Sequence, residues 1–320
     1  MFGALSRPKR TWLWIIVAVV VGVAAYSMIG DIGKLGDRLT GFRWSAFVAA
    51  LALALANYVL RFVRWAVYLR RQAVRVPAVS SALVFGAGLS LSITPAKLGE
   101  LVKSYLLNEM HAVPVTRTAP IVVAERVSDL IALLALAVIG VAGYGVDPTL
   151  VTIAGSVIAL GLLLLAWQRP TRFLVEIFTR PAKLRSVREP LLEMLANLSA
   201  LCRPVPLVIA TAIAIPAWAC ECVGFALICN AFPGVHVELG LALVIYAGTT
   251  IAGALSFLPG GLGVTEGAMT LALVEGAAHF DRASALAATL LTRLATLWFA
   301  VVLGIGFLAL ARRRIAKRAL

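Results

Sequence analysis

Two nine-residue stretches of this chain repeat one another 164 positions apart. They are Leu91-Ser92-Ile93-Thr94-Pro95-Ala96-Lys97-Leu98-Gly99 and Leu255-Ser256-Phe257-Leu258-Pro259-Gly260-Gly261-Leu262-Gly263, and five of the nine positions are identical. Each stretch joins two apolar segments through a Pro/Gly break and is followed by a glutamate, Glu100 or Glu266. Further on, each half carries an arginine inside a long apolar run, Arg126 or Arg293. Broken helices duplicated in this way are the sequence form of an internally repeated transporter core, in which the breaks meet near the bilayer midplane. The hairpin tips are then Pro95 and Gly99 in one copy and Pro259, Gly260, Gly261 and Gly263 in the other.

Composition requires the membrane. With 61% hydrophobic and 14% charged residues in 320, and a mean hydropathy of +0.96, a soluble fold would leave far more apolar surface in water than such folds tolerate. The apolar runs are continuous, which favours helices over barrel strands that alternate polar and apolar residues. The expected fold is an all-α polytopic membrane protein. Six spanning helices fall at 12–30, 45–68, 118–142, 149–167, 205–230 and 284–311. Two broken segments, 79–109 and 239–280, remain. The basic start Arg7, Lys9, Arg10 before the run from Trp12 reads as the flank of an uncleaved first span, because the run is too long for a signal peptide.

The formal charge of +14 does not point to nucleic acid, because the basic residues stand where spans end. Clusters at Arg7 to Arg10, at Arg70, Arg71 and Arg75, across 168–204, and in the tail from Arg312 to Arg318 place all four on the cytoplasmic side of a cytoplasmic (inner) membrane, with both termini inside. That parity makes 79–109 begin and end inside, and its halves are short for full crossings, so it reads as a re-entrant hairpin. The segment 239–280 begins and ends outside, either as a hairpin of opposite orientation or as two full crossings. The halves 1–145 and 146–320 then form an inverted-topology repeat. Within the connection, Leu184, Val187, Leu191, Leu195 and Leu198 recur at helical spacing and predict a basic interfacial helix over 183–201, drawn to anionic headgroups on the cytoplasmic leaflet.

Charges inside apolar spans cost about 2.5 to 3.5 kcal/mol each and face a partner or a cavity. The candidates for substrate binding or coupling are Glu100, Glu125, Arg126, Asp129, Glu221, Glu266 and Arg293, together with Lys97 in the first break. Arg126 and Asp129, three apart on one helix, can pair as a structural unit, or Arg126 can meet substrate. Arg293 has no acid within helical reach, so Glu266, Glu100 or a ligand must meet it. Glu221 can be a carboxyl hydrogen-bonded to a neighbouring helix. Arg61 and Arg64, near the end of the second span, read as snorkelling to the cytoplasmic interface. The glycines after Pro259 permit a tight break whose following helix start offers N–H groups to an anion. The four cysteines, Cys202, Cys220, Cys222 and Cys229, have neither metal nor disulfide spacing, and no nucleophile motif or nucleotide-binding loop is present. No metal, cofactor or catalytic residue is expected.

With Pro95 to Glu100, Glu125-Arg126-Val127-Ser128-Asp129, Pro259 to Gly267, and Arg293 in order, the chain resembles the lysylphosphatidylglycerol synthase transmembrane family over about residues 40–310. The resemblance implies the flippase-like region that, in bifunctional resistance proteins, moves aminoacylated phosphatidylglycerol between leaflets; relatives are linked to hopanoids or polyprenyl-phosphate sugars. By position, Glu100, Glu125, Arg126, Glu266 and Arg293 match the family's polar motif residues. Lys97 and Thr265 stand where relatives often carry arginine, a departure that bears on headgroup preference. Only a short basic tail follows the last span, so the synthase domain and its aminoacyl transfer are not expected. The implied function is movement of a phosphate-containing lipid, aminoacylated or glycosylated, by alternating access. The partners would be a membrane phospholipid or polyprenyl-phosphate lipid, with a homo-oligomer compatible with this reading. In it Arg126 and Arg293 engage the phosphate, and Glu100 and Glu266 take a cationic headgroup part or a coupling proton. A transporter of a small soluble solute and a non-transporting membrane adaptor for a lipid-synthesis enzyme are the alternatives.

Overall fold

The computed structural model describes residues 39–142, 186–277 and 280–317, with isolated positions between 149 and 179. The spans expected at 12–30 and 149–167 therefore lie outside the described residues. What is described is helical throughout: α1 (Trp44–Arg71), α2 (Ala78–Leu89), α3 (Val102–His111), α4 (Val115–Ala142), α5 (Arg188–Leu201), α6 (Pro204–Cys229), α7 (Leu239–Leu255), α8 (Val264–Gly276), α9 (Arg282–Arg293) and α10 (Phe299–Ala316). Each duplicated motif forms a short 3₁₀ turn between two short helices. Pro95–Leu101 separates α2 from α3, and Pro259–Gly261 separates α7 from α8.

Three described helices are long and apolar enough to cross a membrane: α1, α6, and the 35-residue helix Arg282–Ala316 that joins α9 to α10. The protein is a multi-pass membrane protein. The span expected at 118–142 is the 28-residue α4, which has the length but carries Glu125, Arg126 and Asp129 within its apolar run. The last span, expected at 284–311, is this Arg282–Ala316 helix. It begins at Arg282, and a π-helical segment, Leu294–Trp298, interrupts it immediately after Arg293. Within this segment the Tyr58 hydroxyl donates to Thr296 O at 2.7 Å, tying it to α1. Of the helix expected over 183–201, the described residues from Arg188 on form α5, where the acidic Glu189 and Pro190 suit a first turn. α5 packs on α4 and is tied by Gln72 Nε2 to Asn197 O (3.3 Å) and Asn197 Nδ2 to Thr116 O (3.1 Å).

α1 shows how the chain solves its packing. Asn57, Arg61, Arg64 and Tyr68 fall at i, i+4, i+7 and i+11 on one face and are buried, whereas Val48, Val59 and Val63 on the other face are exposed. Polar residues point inward and apolar residues outward, the reverse of a helix in water. Asn57 Nδ2 donates to Ala217 O at 2.8 Å, joining this face to α6.

Four contacts set the frame for the site. α1 packs along α6, α4 along α7, α10 along α2, and the two 3₁₀ turns touch one another. Small residues allow the close approaches. A Cβ added at Gly304 of α10 would lie 2.0 Å from Ser90 N, and one at Gly140 of α4 would lie 2.5 Å from Gly240 O. At the meeting of the turns, Gly260 takes φ +61° with Ile93 against it.

Candidate functional site

The first break is stitched by one threonine. Thr94 Oγ1 donates to Leu91 O at 2.7 Å and accepts from Gly99 N at 2.6 Å, while Lys97 N donates to Thr94 O at 2.8 Å. The resulting turn hands Glu100 to the protein interior. Its two oxygens meet three cations, Arg61 (3.1 Å), Lys103 (3.0 Å) and Arg126 (3.4 Å). Lys103 also reaches Glu125 at 2.6 Å, its Nζ lies 4.8 Å from the centre of the Trp65 ring, and its stem lies across Gly88, where any Cβ would collide with it. Asp129 is held by Arg64 at 2.6 Å, by the Trp218 indole N–H at 2.8 Å, and by Arg126 at 3.1 Å.

Arg61 and Arg64 therefore do not snorkel. They are 4% and 0% exposed and act as counter-ions of Glu100 and Asp129. Snorkelling applies where a side chain can reach water at lower cost than it can find a buried partner; here α3 and α4 bring carboxylates directly opposite. Arg126 and Asp129 do pair across one turn, yet the closest cation to Asp129 is Arg64, from another helix. Sequence reasoning missed Lys103 altogether. Its position three residues after Glu100 was the available signal, because i, i+3 residues share a helical face.

The second break is simpler. Glu266 sits at the third position of α8 and accepts from Gly263 N at 2.7 Å, closing the helix start. Its other oxygen takes the Arg293 Nε at 2.6 Å, and the same guanidinium donates to Gly260 O. The partner of Arg293 is thus Glu266, and the pair fastens the second break to the residue just before the π segment. Glu221 accepts from the Tyr246 hydroxyl at 2.6 Å, a hydrogen bond between α6 and α7.

Between the two breaks lies a cavity of about 280 Å³. Of the residues singled out in the sequence, Arg61, Lys97, Arg126, Asp129, Glu221, Gly260, Gly261, Thr265 and Arg293 line it. Glu100, Glu125 and Glu266 are not among its lining, being turned to the cations described above. Residues not singled out also contribute, including Tyr58, Ser92, Trp218, Tyr246 and Thr296. Much of the remaining wall is apolar, and Leu255 and Phe257 on it are exposed at the protein surface, by 65% and 68%. The arrangement offers a charged recess with an apolar rim. Among the described residues no three His, Cys, Asp or Glu side chains are grouped to hold a metal ion.

The chain has no match among curated proteins. Residues 13–304 match the family described as the lysylphosphatidylglycerol synthase TM region, which covers nearly the whole sequence. The ordered charges around the two breaks and this match agree, and the chain belongs to the lysylphosphatidylglycerol synthase TM region family.

Proposed function

We propose that this protein moves the phosphate-bearing headgroup of a membrane lipid across the cytoplasmic membrane, by alternating access to the cavity between its two breaks. The observation that carries the reading is the cavity itself: both breaks border it, cations line it, and its rim is apolar and exposed. A lipid fits that combination, since its headgroup needs charge while its acyl chains stay in hydrocarbon. The lipid-related character of the family supports the same direction.

The inverted repeat belongs to this proposal. Laying α1 to α4 over α6 to α10 in chain order matches α1 with α6, α2 with α7, α3 with α8, and α4 with the joined α9 and α10. Exchanging the halves turns the α4 to α7 contact into the α10 to α2 contact, and maps the α1 to α6 contact and the turn-to-turn contact onto themselves. That exchange fits a two-fold relation between the halves, and the proposal puts its axis in the membrane plane, with the breaks entering from opposite faces as re-entrant hairpins. Rocking one half against the other would then open the cavity to each leaflet in turn.

The test is reconstitution of the purified protein in vesicles containing headgroup-labelled phosphatidylglycerol, with an impermeant quencher added outside. The proposal expects quenching beyond the outer-leaflet half at a rate proportional to protein. Quenching confined to the outer leaflet, as in protein-free vesicles, would contradict it, and is what a non-transporting adaptor would give.

A further inference from the structure

The four cations that line the cavity are not equivalent. Arg61 is matched by Glu100, Arg126 by Glu100 and Asp129, and Arg293 by Glu266 together with the Gly260 carbonyl. Lys97 has no carboxylate within ion-pair distance among the described residues. Its Nζ rests over the ring of Trp218, 5.2 Å from the centroid, a contact that holds a cation without neutralising it. The same walls carry buried donors with no acceptor, namely Nε of Arg61, Nε of Arg126 and Oγ of Ser92. Donors of this kind also occur away from the cavity, at Arg64 and Ser104, so it is Lys97 that sets this wall apart.

The backbone at Lys97 gives an independent reason. Its φ is +55°, in the left-handed region that favours glycine. The corresponding residue of the second break, two after the proline, is Gly261 at φ +66°. Thr94 forces this turn by its bonds to Leu91 and Gly99, so glycine would be the undemanding choice in the first break too. The chain instead places there the one lining cation that lacks a counter-ion. Backbone cost of this kind persists where the side chain serves the site.

We infer that Lys97 is the residue that receives the phosphate anion in this cavity, releasing Trp218 to do so, beside the lining cations Arg61, Arg126 and Arg293. Phosphate oxygens accept several charge-assisted bonds at once, which suits a recess lined by four cations. The inference deepens the proposed function and rests on it only for the assignment of the phosphate to a lipid.

The experiment titrates the purified full chain in neutral detergent with dihexanoyl phosphatidylglycerol and, separately, with inorganic phosphate, by calorimetry, and records the thermal midpoint of each variant. Lys97→Gly should bind the short lipid at least about tenfold more weakly, the loss expected on removing one charge-assisted contact. Its midpoint should equal or exceed that of the natural chain, because glycine suits the backbone there. Lys97→Arg should retain binding. Lys97→Gly binding with unchanged affinity would overturn the inference, as would a lowered midpoint, which would make the lysine structural, or failure of the natural chain to bind either probe. Inorganic phosphate binding as tightly as the short lipid, and lost in Lys97→Gly, would uphold Lys97 as the anion residue and assign the site to free phosphate. Phosphatidylglycerol bound through Lys97 but not moved in vesicles would sink the proposed function and leave this inference standing. Lipid moved at an unchanged rate by Lys97→Gly would do the reverse.

Discussion

Lys103→Met isolates the energetic centre of the charged cluster. The ammonium is 1% exposed and bridges Glu100 at 3.0 Å and Glu125 at 2.6 Å. Methionine keeps the stem that lies across Gly88 and beneath Trp65, so packing changes little. The charges respond differently. Glu100 keeps Arg61 and Arg126, whereas Glu125 loses the one cation within ion-pair distance of it among the described residues. Stranding a buried carboxylate costs about 3 to 5 kcal/mol. A chain of this size should then lose on the order of 5 to 10 °C of apparent midpoint. Adding Glu125→Gln removes the stranded charge and should restore most of that loss, a coupling of about 2 to 3 kcal/mol. The assay is thermal unfolding in detergent, followed by size-exclusion fluorescence, on the single, the other single and the double variant. A Lys103→Met midpoint equal to the natural chain's, or a double variant no more stable than Lys103→Met, would refute the reasoning.

The same logic predicts that Arg126→Gln with Asp129→Asn is not neutral, because Arg64, fully buried, is left without its carboxylate; loss of about 3 kcal/mol or more in the same assay is expected, and an unperturbed midpoint would return Arg126 and Asp129 to a self-contained pair. Gly304→Ala should destabilise by about 1 to 3 kcal/mol since its Cβ would meet the backbone of Ser90, whereas Gly306→Ala on the same helix, with nothing near it, should be neutral or slightly stabilising. Single cysteines at Ala78 and Val113, in a background lacking the four natural cysteines, should both be labelled by an impermeant reagent from the cytoplasmic side only; labelling of either from outside would remove the first re-entrant hairpin from the account.

The sequence made the frame legible because membrane helices announce themselves by length and apolarity, and because the breaks are written with Pro and Gly at repeated spacing. The ends of α6 fall within a residue of the expected 205–230, and the turns lie on the duplicated motifs. Charges were legible only where they stood in mid-span. Arg126 and Arg293 were visible as isolated arginines in apolar runs. Arg61 and Arg64 were misread because proximity to a span end looks the same in one dimension whether the side chain turns to water or to Glu100 and Asp129. Asn57 and Tyr68 on the same face, with valines opposite, carried the needed signal. Lys103 stood in a short segment expected to be hairpin, where a lysine looked unremarkable. The π segment after Arg293 has no sequence mark, since the α9 to α10 run is uniformly helix-compatible.

The proposed lipid movement requires the two breaks to separate and rejoin around the cavity as the halves rock. A Cβ placed at Gly260 would lie 3.7 Å from Ile93 Cα, which puts a cysteine pair at these positions within reach of one another. In a background without Cys202, Cys220, Cys222 and Cys229, the pair Ile93→Cys and Gly260→Cys should cross-link on oxidation. Movement of labelled phosphatidylglycerol across reconstituted vesicles should then stop, and return when reductant is added. Complete cross-linking with lipid movement unchanged would contradict the account.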